Sequence, residues 1–158
     1  MGDLFAPWIP DEWIEAVFRT CLDYPKHRYL FLTKFPKRYL ELGEARKLPE
    51  EKNFWYGSTV TRPDVPYFYS EGHNTFLSIE PMLEPFMASG EACKPPKTDW
   101  IIMGAMTGPG SAEHQPSRSW IEDMVSGAKE WGTPVFMKNS LKPVWGEELI
   151  TEFPWGNK

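Results

Sequence analysis

Arg28-Tyr29-Leu30-Phe31-Leu32 runs straight into Thr33-Lys34. Four more short apolar runs end the same way on small or polar residues. Asn53-Phe54-Trp55-Tyr56-Gly57 meets Ser58-Thr59, and Thr75-Phe76-Leu77-Ser78-Ile79 meets Glu80-Pro81. Trp100-Ile101-Ile102-Met103 meets Gly104-Ala105-Met106-Thr107-Gly108, and Pro134-Val135-Phe136-Met137 meets Lys138-Asn139. Apolar runs this short, bounded by turn residues, read as strands buried on both faces. In parallel sheets and barrels, ligands gather at the carboxyl ends of the strands. Lys34, Thr59, Glu80, the Gly104–Gly108 loop and Lys138 are therefore expected to face one site.

The segments between the runs read as helices and loops. From Asp11 to Tyr24, the residues Trp13, Ile14, Val17, Phe18, Cys21 and Leu22 repeat with helical spacing between Pro10 and Pro25. Phe35 to Leu42 reads as a short helix opened by Pro36 and closed by Gly43. A charged connector, Glu44 to Lys52, follows, and Arg62 to Ser70 reads as one or two helical turns. Met87 to Lys97, with Pro95-Pro96, reads as a loop. Trp120 to Trp131 is the best-marked helix, with Ser119 and Glu122 as a capping box and Gly132 as its stop. Its apolar face is Trp120, Ile121, Met124, Val125 and Ala128. Lys142 to Lys158 reads as an irregular tail with one short helix around Glu147 to Thr151.

This alternation predicts an α/β fold: a single domain over residues 1–158 with a mostly parallel sheet, or an incomplete (β/α) TIM-like barrel. Such a fold usually leads with a strand. Met1-Gly2-Asp3-Leu4-Phe5 looks instead like the end of one, so the chain is expected to be the C-terminal part of a longer barrel. The first strand of such a piece would have an exposed edge, and self-association through it is expected.

Composition narrows the function. The 158 residues carry a net charge of −5, which argues against the broad basic surface of a nucleic-acid binder. No apolar run approaches the ~20 residues of a membrane span, and the start lacks the basic region of a signal peptide. The two cysteines, Cys21 and Cys93, form no C-x-x-C pair, so neither a disulfide framework nor a cysteine-built metal site is expected. Cytoplasm is the expected compartment.

Several residues carry candidate chemistry. Glu80 suits a base, a metal ligand or a partner for an ammonium group, or a structural ion pair. Lys34 and Lys138 suit a carboxylate or phosphate, or a solvated rim. Arg38, one turn beyond Lys34, suits the same anion. The Gly104-Ala105-Met106-Thr107-Gly108-Pro109-Gly110 turn can present N–H groups to an anion, or simply close a surface loop. It is neither a Walker loop nor a dinucleotide fingerprint. Asp3, with Gly2, stands at what reads as another strand end. Thr59 and Thr61 offer hydroxyls but are also ordinary strand residues. His27, His73 and His114 match no zinc-enzyme spacing, so no metal site is expected.

Taken in order, Gly2-Asp3-Leu4-Phe5, Leu32-Thr33-Lys34-x-Pro36-x-Arg38, Gly57-Ser58-Thr59-Val60, Leu77-Ser78-x-Glu80-Pro81, Gly104-x-x-Thr107-Gly108-Pro109-Gly110 and Val135-Phe136-x-Lys138-Asn139 resemble a family of largely uncharacterised phage and bacterial proteins. That family has a radical S-adenosylmethionine-like barrel. The resemblance implies a three-cysteine motif holding a [4Fe–4S] cluster, with S-adenosylmethionine as cofactor. This chain lacks that motif, so both groups are implied only for a longer form, and the chain alone is expected to be inactive. The resemblance places Gly2 and Asp3 near the cofactor's methionine part. It places Thr33, Lys34, Thr59, Glu80, Gly104, Gly108 and Lys138 around the barrel mouth. Many relatives carry Gly-Gly-Glu-Ser-Gly where this chain has Gly104-Ala105-Met106-Thr107-Gly108, so the acid is missing at Met106. The substrate, small molecule or macromolecule, is left open. Two other functions fit the residues: a non-catalytic ligand-binding or assembly domain, and a phosphate-ligand α/β enzyme.

Overall fold

The computed structural model describes residues 2–87 and 96–156. All five apolar runs form strands: β1 (Tyr29–Thr33), β2 (Phe54–Val60), β3 (Asn74–Ile79), β4 (Ile101–Met103) and β5 (Val135–Met137). They make one sheet in the order β1-β2-β3-β4-β5. β1 pairs with β2, β3 with β4 and β4 with β5, each in parallel. Among the described residues the order is open, with β1 and β5 as its two ends: the parallel α/β sheet is present and a closed TIM-like barrel is not shown. β2 runs on to Val60, which puts Ser58 and Thr59 inside the strand rather than after it.

The chain divides into two compact units. One comprises Met1–Thr59 with Pro66–Phe76, the other Val60–Val65 with Leu77–Lys158. In the first, helix α1 (Asp11–Asp23) starts after Pro10 with Asp11 and Glu12 in its first turn, where carboxylates favour the helix dipole. Its buried face is Ile14, Phe18 and Cys21. These pack with Phe5, Phe31, Tyr39, Leu42, Phe54, Tyr56 and Phe68 into a core dominated by aromatic rings. Edge-to-face pairs such as Phe18–Phe31, at 5.2 Å between centroids, hold it together. The Tyr39 hydroxyl, fully buried, donates to the Phe31 carbonyl at 2.9 Å. Burial pushes the ionisation of Tyr39 and of Tyr56 well above the usual tyrosine range.

Helix α2 (Lys37–Glu44) runs through Gly43 instead of stopping there. It ends because Arg46 takes φ +57°, with Arg46 N–H donating to Gly43 O (2.9 Å) and Lys47 N–H to Leu42 O (2.7 Å). This is a Schellman stop with arginine at the left-handed position, where glycine is normally used. A left-handed residue with a Cβ costs about 1–2 kcal/mol. Arg46→Gly is therefore expected to raise the unfolding free energy by about 1 kcal/mol. A lower urea midpoint for this variant would show that the arginine side chain contributes more than its backbone costs.

In the second unit, helix α3 (Arg118–Glu130) presents Ile121, Met124, Gly127 and Ala128 to the interior. Its cap is Ser117, whose hydroxyl accepts from Trp120 N–H, not Ser119. Glu122 pairs with Arg118 instead of closing a capping box. Its end matches the expectation: Gly132 sits at φ +68°, and Thr133 N–H donates to Ala128 O at 2.8 Å. No helix forms between Arg62 and Ser70. Among the described residues of the segment expected to be an irregular tail, two parts are ordered against the rest of their unit. Helix α4 (Lys142–Trp145) precedes the expected position, and 150–152 run antiparallel along β5. Met137 N–H donates to Ile150 O (2.7 Å) and Glu152 N–H to Val135 O (2.9 Å). Phe153 and Trp155 then pack on Trp100. Most of the loop expected at Met87 to Lys97, including Cys93, lies outside the described residues.

Candidate functional site

Both units place polar groups at the carboxyl ends of their strands. In the first unit, Asp3 organises the end of β1. Its Oδ2 accepts from Thr33 Oγ1 (3.0 Å) and from Lys34 N–H (2.9 Å), and its Oδ1 accepts from Phe5 N–H (3.0 Å). Thr33 Oγ1, almost fully buried, accepts in turn from Phe35 N–H (2.9 Å). One carboxylate thus fixes the turn from β1 into α2, a local role that competes with ligand contact. Lys34 is exposed at the rim, and Gly2 is exposed with open space where a Cβ would stand. Thr59 is half-buried on β2, one residue past the Thr33–Ser58 pair.

Arg38 does not join Lys34 at an anion. Its Nη2 donates to Asp11 Oδ1 (2.5 Å) and to Ile9 O (3.1 Å), tying α2 to the start of α1. Lys47 adds to the same link through Asp11 and Glu15, which hold its ammonium above the usual lysine range.

In the second unit, three expected residues meet. Ile79, Met103 and Met137 are the aligned last residues of β3, β4 and β5. The next residue on each strand is Glu80, Gly104 and Lys138. Lys138 Nζ donates to Glu80 Oε2 across Gly104, joining residues 58 positions apart. Gly104 leaves room for the pair: a Cβ there would stand 2.6 Å from Glu80 Oε1 and 2.8 Å from its carboxyl carbon, so any side chain would displace the Glu80 carboxylate. The backbone beneath is satisfied, since Gly104 N–H donates to Ile79 O (2.9 Å) and Lys138 N–H to Met103 O (2.8 Å). The Glu80–Pro81 peptide is cis.

Ser140 completes this corner, its Oγ accepting from Ala105 N–H at 3.0 Å. It was not among the expected residues. Its only sequence signal is its place two residues after Lys138, on the same strand-end turn. Gly108 lies further out, exposed at φ +94°, with open space around it.

The Glu80–Lys138 pair is partly open to water, with side-chain exposures of 29 % and 41 %. Pairs this exposed stabilise a fold by about 1 kcal/mol or less. Folding therefore depends little on it, and both charges can exchange partners with a ligand. Among the described residues no cluster of three or more His, Cys, Asp or Glu could hold a metal. Cys21 lies on the buried face of α1, and desolvation raises its thiol above the usual range. No helix among the described residues is long and apolar enough to cross a membrane.

No curated protein and no solved structure matches the chain. Residues 1–151, nearly all of it, match one family, and the chain belongs to that family of proteins of unknown function, DUF5131.

Proposed function

We propose that this chain is the ligand-binding part of a radical S-adenosylmethionine-like protein, and that by itself it binds without catalysing. The ligand is a small molecule carrying both an ammonium and a carboxylate, such as the aminoacyl end of S-adenosylmethionine. The observation that carries this reading is the Glu80–Lys138 pair over Gly104 at adjacent carboxyl strand ends. Opening the pair offers a carboxylate to the ligand's ammonium and an ammonium to its carboxylate, so no charge is left unmatched. The ordered motifs described above supply the link to the radical enzymes.

The residues present do not fit an iron–sulfur cluster. Such a cluster needs several thiolates at one place. The chain has two cysteines, and Cys21 is a buried thiol in the aromatic core. No cluster-dependent step is assigned to the chain. A free phosphate ligand is disfavoured too, because Glu80 would repel the anion that Lys138 attracts.

Isothermal titration tests this reading with S-adenosylmethionine, methionine, adenosine and inorganic phosphate. S-adenosylmethionine and methionine are expected to bind and phosphate is not. Glu80→Gln and Lys138→Met should each weaken binding at least about tenfold, equivalent to 1.4 kcal/mol. Phosphate binding that disappears in Lys138→Met would favour the phosphate-enzyme reading. Binding of S-adenosylmethionine that neither variant changes would move the site elsewhere.

A further inference from the structure

The backbone amides around the Glu80–Lys138 pair are already used inside the protein. Gly104 N–H donates to Ile79 O, Lys138 N–H to Met103 O and Ala105 N–H to Ser140 Oγ. The Gly104 carbonyl is engaged as well, accepting from Met82 N–H at 3.3 Å. The Ser140 hydroxyl differs from these groups. A serine oxygen accepts through its lone pairs and donates its one proton. Here the oxygen accepts from Ala105 N–H, and among the described residues the proton has no acceptor.

Ser140 is also fixed in place beside the pair. It lies two residues after Lys138, in the single turn Asn139–Leu141 that follows β5, and it is half-buried. Its Oγ is one hydrogen bond and one peptide link from Gly104, hence no more than about 6 Å from Gly104 Cα. Glu80 and Lys138 meet across that same glycine. The Ala105 amide orients the hydroxyl too. Its proton cannot point at the N–H that the oxygen accepts, so it turns away from that amide.

We propose that Ser140 is a carboxylate-binding residue of this site, donating its hydroxyl to the ligand carboxylate that Lys138 attracts, and that the ligand presents an α-amino acid group. This role rests on the charge-exchange reading of the Glu80–Lys138 pair and adds a third contact to it. Glu80 and Lys138 touch each other, so the two ligand groups that replace them must stand close together. In an α-amino acid the ammonium and the carboxylate share one carbon. A carboxylate has two oxygens to satisfy. Lys138 is a point charge on a flexible stem and leaves the carboxylate free to turn. A second donor, on a turn held by the β4 backbone, fixes its plane.

Isothermal titration with L-methionine and with 3-(methylthio)propylamine, the same molecule without its carboxylate, tests this role. Alanine suits a helical turn, so Ser140→Ala should keep the circular dichroism of the parent chain. It should bind methionine about tenfold more weakly, the loss of one charge-assisted hydrogen bond, and bind the amine within about twofold of the parent. A Ser140 that served only to hold the Ala105 amide would act differently. Its loss would loosen the Gly104 turn beneath Glu80 and weaken both ligands alike, so equal losses overturn the proposal. Methionine binding that Glu80→Gln and Lys138→Met weaken, but Ser140→Ala does not, also overturns it and leaves the charge-exchange reading standing. A parent chain that binds neither methionine nor S-adenosylmethionine overturns both.

Discussion

Phe18→Ala should lower the unfolding free energy by about 3–5 kcal/mol, the range for removing a large buried aromatic side chain. Phe18 is where helix α1 meets the sheet. Its ring lies 5.2 Å from Phe31 on β1, 6.1 Å from Phe54 and 6.3 Å from Tyr56 on β2, and 6.1 Å from Phe5. Neighbours of this size are rigid, so the surroundings cannot collapse into the space and the cavity term adds to the lost burial. Domains are stable by only about 5–15 kcal/mol in total, so this one change removes a large share. Trp13→Ala on the same helix is the control: that ring is 61 % exposed and its loss should stay within about 0.5 kcal/mol. Urea unfolding followed by fluorescence and circular dichroism measures both. Equal midpoint shifts for the two variants would mean that α1 is not held by its buried stripe.

The parts of this molecule legible in its sequence share a physical cause. β1 to β5 are legible because strands buried on both faces need continuous apolar runs, and here each run stops where small or polar residues begin. The stop of α3 was visible because only glycine enters the left-handed region at little cost, and Gly132 occurs once at the right place. The start of α3 was less so. Ser117 and Ser119 both suit a cap, and Ser119-x-x-Glu122 fits the box pattern. Arg118, four residues before Glu122, takes that carboxylate and leaves Ser117 to cap the helix.

The segment after Lys142 was opaque because its order comes from elsewhere. Thr151 lies flat because β5 offers an unpaired edge, and Phe153 and Trp155 are fixed by Trp100, some 50 residues away in sequence. Neither fact leaves a periodicity. At the site, Glu80, Gly104 and Lys138 could be named from their shared place at strand ends, and the structure brings them together. Arg38 could be named as a charge but not assigned to its partner Asp11. An arginine that joins two helices looks the same in sequence as a ligand-binding group.

Gly104→Ala should disable the site while leaving most of the fold. The new Cβ would fall 2.6 Å from Glu80 Oε1, inside any permitted contact, so the carboxylate must swing away from Lys138. The carboxylate is the partly exposed end of a flexible side chain, so moving it should cost about 1 kcal/mol or less, while ligand binding should fall as far as in Glu80→Gln. A glycine in a buried strand-end turn has another way to matter, since its backbone could reject any side chain regardless of Glu80. The double variant separates the two causes. If the clash with Glu80 is what costs stability, Gly104→Ala made in a Glu80→Ala background should cost about 0.5 kcal/mol or more less than it does alone, a coupling within the range for residues in contact. Additive losses would place the constraint in the Gly104 backbone. The pair across it would then be a consequence of the turn, and the charge-exchange reading of the site would lose its structural basis.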